Sequence, residues 1–134
     1  MTYKILILKS IRPKLRRWAI KIYPKEFYCF LLGNIIKNRI FINNIYIPPD
    51  LEEIATKDTV QTPDYWFTQA KTKGTVVGCF HTHPDCFMCD ASESDQDHIQ
   101  MFKKWLKTPI IFGIGSVRKK DGKFMTRTRF WPYA

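Results

Sequence analysis

The sequence predicts an α/β fold in which a single mixed β-sheet is flanked by helices. The first indication is the order of segments, because β-rich and amphipathic helical stretches follow one another as β-α-β-β-α-β-α-β-β. The second is size, since 134 residues with 45% hydrophobic side chains can bury a core without disulfide bonds. No internal repeat, low-complexity tract or linker interrupts the chain, so we expect one domain over residues 1–134.

The first half of the chain predicts three strands and one helix. Residues 3–9 alternate in polarity and are rich in Ile and Leu, which favours a strand. Residues 12–23 place apolar side chains at helical spacing opposite a basic face. The apolar run 26–32 predicts the second strand, which we expect to end in a turn at Gly33-Asn34 before a third strand within residues 35–47.

The middle of the chain predicts a loop, a helix and the strand that ends at the histidines. Residues 50–62 are polar and predict a loop, with one helical turn as an alternative. Residues 63–71 favour a short helix, and residues 75–81 favour a strand.

The last part of the chain predicts a helix followed by a hairpin. Ser92 is well placed as the N-cap of a helix over residues 93–106. Residues 109–117 and 123–131 predict two strands joined by a turn at Asp121-Gly122.

Two histidines and a carboxylate predict a metal site. His81 and His83 are separated by one residue on a predicted strand, so both side chains face the same side of the sheet. Asp95 lies in the first turn of the next predicted helix, and it supplies a third ligand. Catalytic zinc sites have three such protein ligands and an open fourth position. His98 is a competing ligand, and Ser92 with Asp95 can instead form a helix-capping box.

The charge distribution favours a cation at the same place. The chain has a formal net charge of +10, yet no Lys or Arg lies between Lys73 and Lys103. That window holds all three histidines and five acidic residues. The basic remainder fits a surface for an acidic protein, a surface for nucleic acid, or a solvated exterior. No nucleic-acid recognition signature accompanies the charge, so nucleic acid is the less favoured partner.

Glu26 is the candidate general base. It is the first acid in the chain and stands at the start of the apolar run 27–32. A carboxylate at the edge of a buried strand needs a physical reason, and accepting a proton from a metal-activated water supplies one. The alternative is an ordinary carboxylate exposed at the end of a strand.

The cysteines divide into two pairs. Cys29 and Cys79 lie in apolar surroundings and are expected to be buried. Cys86 and Cys89 have C-x-x-C spacing, which suits half of a metal site, a redox pair or a local disulfide. The chain lacks an apolar run of roughly 18 residues and a signal-peptide pattern, so we expect no membrane span and a cytoplasmic location.

Four motifs follow one another along the chain: Pro24-Lys25-Glu26, Leu31-Leu32-Gly33, Gly78 with His81-Thr82-His83-Pro84, and Ser92-x-x-Asp95. Together and in this order they resemble the motifs of the JAMM (MPN-plus) metalloproteases, which include isopeptidases and their prokaryotic relatives. The resemblance covers about residues 3–117 and implies a JAB/MPN-like fold with cytidine-deaminase-like layering.

The resemblance also implies roles for single residues. His81, His83 and Asp95 correspond to the ligands of a zinc ion (Zn²⁺), Glu26 to the general base, and Ser92 to the serine that stabilises the oxyanion. The implied reaction is hydrolysis of an amide bond after the C-terminal tail of a ubiquitin-like protein, in deconjugation or in precursor processing. The expected partners are therefore a ubiquitin-like protein or its conjugates.

One departure from the family pattern leaves alternatives open. The segment between His83 and Ser92 is one residue longer than usual, and Cys86 with Cys89 could complete a closed four-ligand structural site with the histidines. A catalytically inactive MPN-type interaction module and a RadC-like nucleic-acid-associated protein are the other two hypotheses. His₂Asp ligation also accepts Co²⁺ or Fe²⁺ in place of zinc.

Overall fold

The computed structural model describes residues 2–57, 62–86, 93–106 and 108–133. Within these residues the strands are β1 (Lys4–Ile7), β2 (Tyr28–Ile36), β3 (Arg39–Tyr46), β4 (Val76–Pro84), β5 (Ile110–Lys120) and β6 (Lys123–Tyr133). The helices are α1 (Ile11–Ile22), α2 (Leu51–Ile54), α3 (Asp64–Lys71) and α4 (Glu93–Trp105). None of the described helices is long and apolar enough to cross a membrane.

The strands form one mixed sheet in the order β1-β3-β2-β4-β5-β6. β1 pairs with β3 and β4 pairs with β5 in parallel, whereas the other neighbouring strands are antiparallel. Helices pack on both faces, as the sequence predicts. The α/β fold with a single mixed sheet flanked by helices is therefore confirmed.

The two faces of the sheet bury different helices. On one face α1 buries Ile11, Leu15, Ala19 and Ile22, because these residues recur at the spacing of one helical face. On the opposite face α3 and α4 pack together through aromatic rings. Phe67 of α3 stacks on Trp105 of α4, with ring centroids 4.6 Å apart. These two helices cover the sheet face that carries the histidines.

The predicted turn at Gly33-Asn34 is wrong. Both residues lie within β2, and the chain turns instead at Lys37 and Asn38. Gly33 lies where the register of β2 against β3 shifts, and a Cβ there would be 1.7 Å from the Phe41 carbonyl oxygen. Glycine is thus required by close backbone approach within the sheet and not by a turn.

Other predicted elements keep their type and move their ends. The predicted helix over residues 12–23 is α1, displaced by one residue, and the predicted strand over residues 75–81 continues to Pro84 in β4. The predicted loop over residues 50–62 contains the one-turn helix α2, which was the alternative for this segment. The Asp121-Gly122 turn is confirmed, and both residues have positive φ angles.

Candidate metal centre

β4 carries His81 and His83 to the face of the sheet covered by α4. The two side chains face the same side because they alternate with Phe80 and Thr82 along an extended strand. β4 lies between β2 and β5: its pairing with β2 extends to His81, and its pairing with β5 continues through His83 to Pro84. His81 is only 6% exposed. The imidazoles are therefore fixed by a central strand and not by a loop.

Asp95 completes the group from the first turn of α4. Its Oδ1 lies 2.8 Å from His81 Nε2, and its Oδ2 lies 3.2 Å from His83 Nε2. The two Nε2 atoms are 3.0 Å apart. Among the residues that the structure describes, these three form the group that could hold a metal ion.

The separations of these atoms fit a bound metal ion. Ligand atoms that each lie roughly 2.0–2.2 Å from a tetrahedral zinc are separated by about 3.3 Å. The observed 2.8, 3.0 and 3.2 Å are slightly shorter, so small side-chain adjustments would admit the ion. The donor set, two imidazole nitrogens and a carboxylate that converge on one point, also suits a metal ion.

The surroundings favour positive charge at His83. Its hydrogen bond to Asp95 raises the pKa of the imidazole above its ordinary value, against the opposing effect of burial. The negative charges of Asp95 and Glu26 also raise this pKa. The charge of Glu26 therefore reaches one of the three converging side chains, the imidazole of His83.

Glu26 is brought to this place by the pairing of β2 with β4. Tyr28 pairs with His81, and one step further Phe27 exchanges hydrogen bonds with Thr82: the Thr82 N–H donates to the Phe27 carbonyl at 2.9 Å, and the Phe27 N–H donates to Thr82 Oγ1 at 2.8 Å. Glu26 directly precedes Phe27, and its negative charge acts on His83. Glu26 is 8% exposed, so it is not the solvated strand-end carboxylate of the alternative interpretation.

His98 is not part of the converging group. Its Nε2 lies 2.6 Å from the Tyr28 hydroxyl, and this hydrogen bond connects α4 to β2. Burial, together with the neighbouring His81, lowers the pKa of His98 to about 4. The ring is therefore neutral near pH 7, and its Nε2 shares a hydrogen bond with the Tyr28 hydroxyl.

The segment after β4 is described only in part. Ser92 and Cys89 lie outside the described residues, so the predicted N-cap and oxyanion roles of Ser92 have no structural account here. Cys86 is disulfide-bonded. Its sulfur is thus not available as a thiolate ligand, which removes Cys86 from the closed four-ligand site. Cys29 and Cys79 are free and buried, as predicted.

Thr82 is a contributor that sequence reasoning missed. The alternation along β4 correctly turns its side chain away from the histidines, but nothing in the sequence pairs its hydroxyl with the Phe27 N–H, 55 positions away. The role of Thr82 can be recognised only once β2 and β4 are known to be neighbouring strands.

The group has the composition of an open metal site, with three protein ligands and an acid within electrostatic reach. Such a site can activate a water molecule and return its proton to a leaving group. A family model described as prokaryotic homologs of the JAB domain matches residues 8–131. No curated protein matches the chain.

Proposed function

Because this chain belongs to the prokaryotic homologs of the JAB domain, we propose that it is a zinc-dependent metallopeptidase of the JAMM type. Its proposed reaction is hydrolysis of the amide bond that follows the C-terminal tail of a ubiquitin-like protein, either conjugated or as a precursor. The JAB family includes metalloproteases, which supports the reaction class.

The observation that carries the proposal is the convergence of His81, His83 and Asp95 beside Glu26. The three ligands come from β4 and α4, whereas Glu26 precedes β2, so four residues spread over 70 positions share one location. An inactive interaction module has no need to keep a buried carboxylate beside a metal site, because burying that charge costs free energy.

In the proposed mechanism His81, His83 and Asp95 would hold the zinc ion. Bound zinc supplies Lewis acidity, which lowers the pKa of water and polarises a carbonyl group. Glu26 accepts a proton from the attacking water and donates it to the departing amine. Ser92 is proposed to donate a hydrogen bond to the oxyanion, as the family pattern implies.

The ubiquitin-like substrate rests on the resemblance to JAMM isopeptidases. An extended C-terminal tail can pair with an exposed strand edge by backbone hydrogen bonds, and β6 offers such an edge on one side of the sheet. The net charge of +10 would favour encounter with an acidic modifier.

The test compares two variants that should lose activity for different reasons. E26Q should retain stoichiometric zinc but lose at least about 100-fold in turnover of a ubiquitin-like fusion, because general base catalysis contributes about that much or more. H83A should lose both zinc and turnover. Metal analysis by inductively coupled plasma spectrometry and a gel-based cleavage assay give the two readouts.

E52Q is the matched control, because Glu52 is an exposed carboxylate in α2. It should keep both zinc and activity. Undiminished turnover by E26Q would remove Glu26 as the base, and a wild-type protein that binds no zinc would remove the proposed function.

A further inference from the structure

Two arginines of β6 lie in the same rows of the sheet as the two histidines. His83 pairs with Ser116 of β5, which pairs with Arg127 of β6. His81 pairs with Ile114, which pairs with Arg129. Residues paired across a sheet project from the same face, so both arginines share the face of the metal centre.

The exposure along β6 agrees with this placement. Arg127 and Arg129 are exposed, whereas the residues that alternate with them are partly buried on the side of α1. The Arg129 guanidinium lies 4.9 Å from the ring centroid of Trp131, which belongs to the same face of the strand. Arg118 is a third, half-buried arginine on that face, two residues after Ser116 on β5.

The distances suit a substrate segment that leaves the metal centre toward β6. Two strand spacings separate the Cα atoms of His83 and Arg127 by about 10 Å. An extended peptide advances about 3.3 Å per residue, so a side chain two or three residues from the reacting bond reaches the arginines. Glu26 lies on the opposite side of β4, next to β2, so the base and the arginines flank the centre.

We propose that Arg127 and Arg129 form a specificity subsite for an acidic side chain of the substrate, two or three residues from the cleaved bond. This inference rests on the proposed peptidase function and names a feature of its substrate. Guanidinium groups bind carboxylates through paired, charge-assisted hydrogen bonds, which makes them suited to this selection. The arginines act by binding and orienting the chain, and the chemistry is left to the metal centre.

The experiment measures kcat/KM of the zinc-loaded full chain on internally quenched peptides. Every peptide carries Gly-Gly before the cleaved bond. The set contains pairs of peptides that differ only in having Glu or Gln at one position, and the varied position is moved through the three nearest positions on either side of the bond. Wild-type protein should prefer Glu to Gln about tenfold at one position, or at two adjacent positions, on one side of the bond. In the R127Q/R129Q double variant the ratio should fall toward one.

R39Q is the control for loss of a distant arginine, because Arg39 is exposed on β3, two strands from β4 and four strands from β6 in the sheet. It should keep the Glu preference. If the preference for Glu disappears equally in R39Q, it arises from the net charge of the protein and the proposal is wrong. If it persists in R127Q/R129Q, the Glu carboxylate binds the metal and not the two arginines, and the proposal is again wrong. Equal rates for Glu and Gln at every position in wild-type protein would equally overturn the proposal.

A second readout separates this inference from the proposed function. If neither the peptides nor the ubiquitin-like fusion is cleaved, the proposed function fails, and fluorescence anisotropy then compares binding of labelled Glu and Gln peptides to zinc-loaded wild-type and R127Q/R129Q protein. Tighter binding of the Glu peptide that depends on the two arginines supports the subsite. Equal binding of both peptides overturns it.

Discussion

Thr82 shows how one side chain can position a site on the other face of the sheet. It lies between the two histidines, is 1% exposed, and accepts a hydrogen bond from the Phe27 N–H. Because Phe27 directly follows Glu26, this contact fixes the backbone that carries the proposed base. The residue thus supports the site although its side chain faces away from the two histidines.

Replacing Thr82 by valine should destabilise the protein, because the buried Phe27 N–H loses its acceptor. We expect T82V to lower the free energy of unfolding by about 1–3 kcal/mol in urea titrations. T82S keeps the hydroxyl and should lose markedly less. Unchanged stability of T82V would show that the hydrogen bond to the Phe27 N–H contributes nothing to folding.

His98 should make stability depend on pH. Its pKa is lowered to about 4 in the folded protein, so the unfolded chain, with a pKa near 6.5, binds the proton first as the pH falls. The free energy of unfolding should therefore decline as the pH drops from about 6.5 to 4, by at most about 1.4 kcal/mol per pH unit, and this contribution should level off below pH 4.

The measurement is urea unfolding of metal-free protein at several pH values, for wild type and H98Q. Glutamine can still pair with the Tyr28 hydroxyl but does not titrate, so H98Q should show the shallower decline. Parallel curves for the two proteins would mean that His98 is protonated as readily in the folded as in the unfolded chain.

At the scale of elements, the two hairpins differ in how well their turns suit the backbone. The β5–β6 turn places Asp121 and Gly122 at positive φ, where Gly is at no disadvantage. The β2–β3 turn places Lys37 at a φ of 56°, which strains a residue with a Cβ. The sequence signal was therefore strong at one hairpin and absent at the other.

Relieving this strain should stabilise the protein. We expect K37G to raise the free energy of unfolding by about 0.5–1 kcal/mol, since the gain at positive φ exceeds the entropic cost of glycine. K37A removes the same charge but keeps the Cβ, so its stability should match the wild type or fall below it. Chemical denaturation of the three proteins gives the comparison, and equal stability of K37G and K37A would contradict the strain.

At the scale of the whole molecule, the metal centre joins a central strand to a covering helix. His81 and His83 belong to β4 and Asp95 to α4, so an ion bound by all three would connect the sheet to its helical layer. The basic residues of the chain are unevenly distributed around this centre. The sequence between Lys73 and Lys103, which carries the three side chains, has no Lys or Arg, whereas the neighbouring strands β5 and β6 contribute arginines.

Zinc should consequently stabilise the folded chain by mass action. At a free zinc concentration 100 times the dissociation constant, the free energy of unfolding should rise by about 2.7 kcal/mol. Thermal unfolding with zinc buffered at increasing concentrations measures this rise. H83A should show almost none of it, and an equal rise in H83A would mean that zinc binds elsewhere or to the unfolded chain.

The sequence predicted most elements because their signals are local. Alternation identified β4, helical spacing identified α1 and α4, and the Asp-Gly pair identified the last turn. The predicted turn at Gly33-Asn34 was wrong because glycine is favoured in two different situations. It adopts a positive φ in turns, and it also permits close approach of two backbones, as at Phe41, and the sequence alone does not distinguish the two. Strand ends shifted because pairing partners, and not propensity, decide where a strand stops.

By itself, the sequence determined which side chains could share an ion. His81 and His83 are two residues apart on one strand, and Asp95 lies in the first turn of the helix that follows, so short-range geometry brings them within reach of one another. Only the tertiary structure decided what surrounds them. The pairing of β2 with β4 brings the segment that carries Glu26 near enough for its charge to act on His83, and the rows across β5 bring Arg127 and Arg129 to the same face. These relations depend on which strands pair and in which register, and that choice is made by burial of the whole sheet between its helices.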